Sequence, residues 1–111
     1  MTALELAKAM QLTVLVEGDG AQRDVTGVYC CDLLSIVMGR ASSGDAWITV
    51  MSNINAVAVA VLSDVACILL SEGMQFDAQT QQKAEEQGVC VLQSDLPTFT
   101  LARRIAELAG L

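Results

Sequence analysis

The chain has 111 residues, of which 53% are hydrophobic and 4% aromatic, and its formal net charge is −7 at pH 7. This length indicates one domain over residues 1–111, and apolar content drawn from Ala, Val, Leu, Ile and Met is typical of helices packed on a buried sheet. Only six Lys and Arg residues occur, with no basic run, which argues against binding to nucleic acid or to an anionic membrane surface.

The first half of the chain predicts two helices and three strands. Helical spacing with Thr2 as N-cap predicts a helix over Thr2–Met10. Asp32 is placed to cap a second helix from Leu33 to about Arg40. The apolar face of that helix is predicted to comprise Leu33, Leu34, Val37 and Met38. A turn at Gly18–Gly20 separates the first two of three predicted strands, which are Leu12–Val16, Val25–Cys31 and Ala46–Met51.

The second half alternates helices and strands. Periodicity leaves Ile54–Leu62 open between strand and helix, but the preceding Ser52-Asn53 pair is typical of a helix start and three alanines favour a helix. Helices are also predicted from Asp77 to Gln87, ended by Gly88, and from Pro97 to Ala109, ended by Gly110. The remaining strands are predicted at Val65–Leu70 and Val89–Leu92.

Strands and helices that alternate with short links predict parallel strands joined by right-handed crossovers. Helices then lie on both faces of the sheet. We therefore expect an α/β fold with three α/β/α layers around a mostly parallel sheet of about four to five strands.

Most sequence patterns of catalysis are missing. There is no phosphate-binding loop of the G-x-x-x-x-G-K-[ST] type, Gly18-Asp19-Gly20 lacks the third glycine of a dinucleotide motif, and histidine is absent. Glu85 and Glu86 are interpreted as a solvated helix face, and Arg103-Arg104 as surface pairing or a dimer contact. The chain is predicted to be no enzyme and to need no cofactor or metal.

The four cysteines match no zinc motif. Three of them fall inside apolar runs, as buried free thiols do. The neighbouring pair Cys30-Cys31 is either a redox device or a strand end with one thiol on each side.

A ligand of an open parallel sheet binds beyond the carboxyl ends of the strands, where helix N-termini converge and favour anions. Three such loops follow residues 51, 70 and 92. Their polar side chains are either plain helix caps or caps that also contact a ligand. The candidate ligand-binding residues are Ser52, Asn53, Asn55, Ser71, Gly73, Ser94 and Asp95.

Location and assembly also follow from composition. The segment Met1–Met10 carries Glu5 and Lys8 and so lacks the apolar core of a signal peptide, and the apolar stretch Ile54–Leu70 is interrupted by polar residues. We expect a cytoplasmic location. An apolar excess in so short a chain indicates cover by a partner or a second copy, so a homodimer is expected.

Several segments in the same order resemble the DRTGG domain family, in particular its small stand-alone members. They are Val28–Gly39, Gly44–Val50, Asn53-Ile54, Ala56–Val59, Ile68–Gly73 and Ser94–Phe99. The Asp-Arg pair of the family falls on Asn53-Ile54, and its Thr-Gly-Gly falls on Ser71-Glu72-Gly73. The missing Arg removes a charge-assisted phosphate contact, and Glu72 adds repulsion.

The resemblance implies a regulatory module. Such domains occur beside CBS domains in regulated pyrophosphatases, where adenine nucleotides are sensed, and in the middle of long phosphotransacetylases. Their fold is similar to the N-terminal, non-catalytic domain of HPr kinase, so a kinase activity does not carry over. The first hypothesis is a non-catalytic regulatory domain that senses a small ligand, with a phosphorylated compound such as an adenine nucleotide as the candidate. The alternative is a homodimeric interaction module that docks on a partner enzyme without a small-molecule ligand.

Overall fold

The computed structural model describes all 111 residues as a five-stranded sheet between two helical layers. The strands are β1 (Thr13–Val16), β2 (Gly27–Cys30), β3 (Asp45–Thr49), β4 (Cys67–Leu70) and β5 (Val91–Gln93). The helices are α1 (Ala3–Met10), α2 (Leu34–Arg40), α3 (Ile54–Ser63), α4 (Ala78–Gln87) and α5 (Thr98–Ala109). A short 3₁₀ helix, Asp19–Gln22, replaces the simple turn predicted at Gly18–Gly20.

The sheet has the strand order β1-β5-β4-β3-β2. The strands β2, β3, β4 and β5 are parallel, and β1 runs antiparallel to β5 at one edge. This arrangement confirms the predicted three-layer α/β/α class with a mostly parallel sheet. Ile54–Ser63 is helical, as the cap chemistry before it favoured.

Each face of the sheet has its own apolar core because side chains alternate between the faces along every strand. One core joins the sheet to α1 and α5, through residues such as Leu6, Ile48 and Leu101. The other joins it to α2, α3 and α4 and contains Trp47 and Val57. Trp47 is fully buried, and its Nε1 donates to the carbonyl of Cys31 at 2.9 Å, so its polar group is satisfied.

The structure corrects the predicted start of α2. Leu33 is the N-cap residue and makes no side-chain cap bond. Asp32 instead turns to the next strand, where its Oδ1 accepts from Thr49 Oγ1 at 2.8 Å and from Val50 N at 2.9 Å. The predicted apolar face is also partly wrong, since Leu33 is 59% exposed and Met38 52% exposed while Val37 is buried.

Helix ends elsewhere follow the sequence closely. Thr2 caps α1 through a capping box with Glu5, and Asp77 caps α4 by accepting from Thr80 N. Gly88 and Gly110 end α4 and α5 in the left-handed conformation, which glycine adopts without strain.

Predicted strand bounds were too wide at most ends. Val25–Cys31 shortens to β2, Ala46–Met51 shifts to β3, and Val65–Leu70 shortens to β4. Val89 lies outside β5 because its N–H closes α4 on the carbonyl of Ala84. No helix has the length and apolar content needed to cross a membrane.

Candidate functional site at the carboxyl edge of the sheet

The four parallel strands end at one edge of the sheet, and the loops that carry all seven candidate residues follow β3, β4 and β5 there. Ser52, Asn53 and Asn55 lie at the start of α3. The loops after β4 and β5 carry Ser71, Gly73, Ser94 and Asp95. No hydrogen bond joins the side chains of the first group to those of the second.

The loops after β4 and β5 are bonded to each other. Glu72 N donates to the carbonyl of Leu96 at 2.9 Å, and Gly73 N donates to that of Ser94 at 3.0 Å. A Cβ added at Gly73 would lie 3.2 Å from Asp95 Oδ1, which places these two candidates side by side. The loops after β4 and β5 are therefore joined to each other by backbone hydrogen bonds.

The serine hydroxyl groups of these two loops have hydrogen-bond partners within the protein. Ser71 is fully buried, and its Oγ is hydrogen-bonded to Thr98 Oγ1 at 2.7 Å. Ser94 Oγ accepts from Leu96 N at 3.0 Å, and the Glu72 carboxylate accepts from Thr98 N at 2.9 Å. These contacts fix the start of α5 and give the hydroxyl groups of Ser71 and Ser94 partners within the protein.

The start of α3 is more open. The side chain of Asn53 caps the helix, because its Oδ1 accepts from Ala56 N at 3.2 Å. The N–H groups of Ile54 and Asn55 make no hydrogen bond within the protein, as is usual in a first helical turn. Asn55 is exposed and Ser52 is half-buried. Donors and a partial positive charge are thus available at this point.

An apolar cleft begins at that helix start and runs between α3 and α4. Its volume is about 400 Å³, which is within the usual range of small-molecule sites. The lining residues are Ile54, Asn55, Val57, Ala58, Val61, Leu62, Lys83 and Gln87. Lys83, which makes no ion pair, brings a cation to an otherwise uncharged lining. A shallower hollow of about 230 Å³ adjoins it and adds Gln79, Gln82 and Glu86.

Lys83 is not among the candidate residues predicted from the sequence. It is one of only two lysines and lies in the middle of α4, six residues after the cap Asp77. Since α3 and α4 are the helices of successive crossovers on one face, a cation in α4 could have been placed opposite α3. Ile54, the position on which the sequence resemblance placed the family's Arg, borders the same cleft.

A second groove, of about 340 Å³, lies between α1 and α5. It is lined by Met10, Gln11, Leu12, Thr13, Gln93, Ser94, Asp95, Leu96 and Arg104. Arg103 is paired with Glu107 at 2.9 Å, which is one of the two interpretations given for Arg103-Arg104, whereas Arg104 has no ion pair. The Asp95 carboxylate repels an anion in this groove and competes with it for Arg104, so the groove is less suited to a phosphate than the cleft at α3.

All four cysteines are free thiols. Cys67 and Cys90 are buried, and burial raises the pKa of Cys90 to about 12. Cys30 is exposed, but desolvation of its thiol by the surrounding protein, and next the nearby Asp32 carboxylate, raise the pKa of the thiol and disfavour the reactive thiolate. Cys31 packs toward the α2 side of the sheet.

A family model for the DRTGG domain matches residues 5–108. This chain belongs to the DRTGG domain family. The resemblance stated from the sequence is thereby confirmed over nearly the whole chain.

A solved structure with the same fold is the crystal structure of the CBS and DRTGG domains of the regulatory region of Clostridium perfringens pyrophosphatase, complexed with the activator diadenosine tetraphosphate. The TM-score is 0.71 at 12% sequence identity, over 92% of this chain. The present chain spans 44% of that chain's length. No curated protein matches the sequence.

Proposed function

We propose that this DRTGG domain is a non-catalytic regulatory module that senses a small phosphorylated ligand, with adenine nucleotides as the first class to test. The observation that carries the proposal is the cleft between α3 and α4, which combines an apolar lining with one cation. A solved structure also supports the proposal, because a regulatory region that contains a DRTGG domain has been crystallised with a dinucleoside polyphosphate activator.

The apolar part of the cleft suits a base or another flat apolar group. Val57, Ala58, Val61 and Leu62 contribute aliphatic side chains along one side of α3. Leu62 is 71% exposed, so a bound ring that covers it removes apolar surface from water.

The polar end suits a phosphate. The free N–H groups of Ile54 and Asn55, the Asn55 side chain and Lys83 are the available donors. In this chain the position assigned to the family's Arg is Ile54, which has no charge, and Lys83 supplies a positive charge to the same cleft instead. Glu86, in the adjoining hollow, limits how much anionic charge the site accepts.

The cleft lining carries no cysteine, serine, threonine or carboxylate to act as nucleophile or general base. Binding without chemistry fits a regulatory role, in which the ligand changes how this domain acts on an enzyme. That enzyme is either part of a longer chain or a separate partner.

The proposal is tested by thermal unfolding of the purified chain with ATP, ADP, AMP, diadenosine tetraphosphate and tripolyphosphate. We expect the Tm to rise with nucleotide concentration, because a ligand that binds only the folded state stabilises it. Lys83→Gln should weaken binding about tenfold, equal to about 1.4 kcal/mol.

Lys8→Gln is the matched control, since Lys8 is an exposed lysine of α1 that lines no cavity. It should bind like the unmodified chain. No change in Tm with any of these ligands at millimolar concentration would contradict the proposal and favour a docking module without a small-molecule ligand.

A further inference from the structure

The outer edge of β2 is an unprotected sheet edge. β2 pairs only with β3, and its four residues, Gly27–Cys30, include no charge and no proline. The opposite edge strand, β1, is irregular between Val14 and Val16, and such a bulge protects an edge from pairing with other chains. The β2 edge is therefore the more regular of the two edges and the better suited to strand addition.

Apolar side chains of α2 overhang this edge. Leu34, Val37 and Ala41 face the core, which leaves Leu33, Ile36 and Arg40 along one flank at spacings of three and four residues. In a right-handed crossover from β2 to β3, that flank points away from α3 and over the free edge. Leu33 and Ile36 (41% exposed) make it apolar.

On the other face of the sheet, α5 extends the same apolar surface. Arg104 lies on the flank of α5 that faces α1, because it lines their common groove. Phe99, Ala102 and Ala106 lie on the opposite flank, toward the β2 edge. Phe99 is 76% exposed, the highest exposure among the large apolar residues.

We propose that this edge patch, made of β2 with Leu33, Ile36 and Phe99, is the interface of a homodimer in which β2 pairs antiparallel with β2 of a second copy. A two-fold axis at the middle of β2 joins the two sheets into one. The pairing satisfies the free backbone groups of both edges and buries the apolar side chains of α2 and α5.

Charge complementarity favours a second copy as the occupant. Arg40 ends α2 near the start of β2, while Asp32 follows the end of β2. Neither forms an ion pair within the chain, and only one oxygen of Asp32 is used in its internal hydrogen bonds. Antiparallel pairing brings Arg40 of each copy beside Asp32 of the other, so the patch is electrically self-complementary in a chain of net charge −7.

The test is the mass of the full chain in solution, by light scattering coupled to gel filtration over a range of concentrations. We expect a species of twice 11.7 kDa for the unmodified chain. Ile36→Asp and Phe99→Asp should each shift it to monomer, and Arg40→Glu should weaken association. Circular dichroism checks that each variant is folded.

Leu62→Asp is the matched control, because Leu62 is also an exposed apolar residue of a helix but lies on α3. It should remain a dimer. A monomer for the unmodified chain at millimolar concentration would overturn the inference, as would dissociation by Leu62→Asp with a dimer retained in Ile36→Asp. The nucleotide proposal stands or fails separately, since the cleft does not share these residues.

A second readout uses Cys30, the one exposed thiol of the chain, which lies in β2. Its rate of alkylation by a maleimide should fall as the protein concentration rises, and should not do so in Ile36→Asp. A rate that is independent of concentration in the unmodified chain would contradict pairing at this edge.

Discussion

At the scale of single residues, Asp32 shows how one carboxylate can serve the fold from an exposed position. It bonds the hydroxyl of Thr49, which is completely buried, and the N–H of Val50. These bonds hold the end of β3 and set the course of the loop that leads to α3. Asp32, which the sequence predicts to be a helix cap, therefore connects the end of β2 to the end of β3 through hydrogen bonds.

Asp32→Ala should lower the free energy of unfolding by about 1–3 kcal/mol, because the buried Thr49 hydroxyl loses its acceptor. Asp32→Asn keeps an acceptor oxygen and should cost less. Urea unfolding of the two variants measures the difference. Equal stability of Asp32→Ala and the unmodified chain would show that these hydrogen bonds contribute nothing.

A second long-range carboxylate contact joins Ser43, Asp64 and Arg23 at the surface. The Asp64 carboxylate accepts from Ser43 Oγ at 2.5 Å and pairs with Arg23 at 2.9 Å. The Ser43 hydrogen bond first, and Arg23 next, hold the pKa of Asp64 below its usual value. Glu5 and Asp77 have lowered pKa values through hydrogen bonds with Thr2 and with Thr80 in their helix caps.

A group whose pKa is lower in the folded state stabilises the protein above its unfolded pKa and loses that effect as the pH falls through its folded pKa. We therefore expect the free energy of unfolding to decrease below about pH 4, the usual range of aspartate. Ser43→Ala should make the decrease shallower. A pH series of urea unfolding curves checks this, and an unchanged slope in Ser43→Ala would contradict the assignment.

At the scale of elements, sequence patterns were reliable where the chemistry is local. Helix caps bond only to the backbone of their own helix, so their positions follow from a few neighbouring residues. This holds for the N-caps Thr2, Asn53 and Asp77 and for Gly88 at the end of α4. The alternation of helices and strands likewise set the fold class.

Elements that depend on distant contacts were harder to predict. Asp32 meets partners 17 and 18 residues away, so its pattern looks like a cap although its role is tertiary. Leu33 and Met38 fit an apolar helix face by spacing, but only the packing of α2 decides which face is covered. The pairing of Ser71 with Thr98 and the position of Lys83 opposite α3 are equally non-local.

The start of α3 gives a prediction that separates folding from ligand binding. Asn53→Ala removes the N-cap and should cost about 1 kcal/mol in unfolding experiments. Asn53→Asp keeps the cap but places a negative charge beside the proposed phosphate site. It should retain stability and weaken nucleotide binding, measured by the Tm shift. Full binding in Asn53→Asp would show that the phosphate does not lie at this helix start.

At the scale of the whole molecule, two surfaces with different chemistry lie at different places on the fold. The cleft between α3 and α4 is on the middle of one helical face, and the edge patch is at the rim of the sheet. A ligand in the cleft and a second copy at the edge can therefore bind together. Joined through β2 as proposed, two copies would carry two clefts on one continuous sheet.

The central claim, that the α3–α4 cleft binds a nucleotide, is tested most directly by NMR. Amide resonances of the ¹⁵N-labelled chain are followed while ATP is added. We expect saturable shifts of Ile54, Asn55 and residues around Lys83, with little change near Arg104, and their loss in Lys83→Gln. Shifts confined to the groove between α1 and α5, or no shift at millimolar ATP, would contradict the claim.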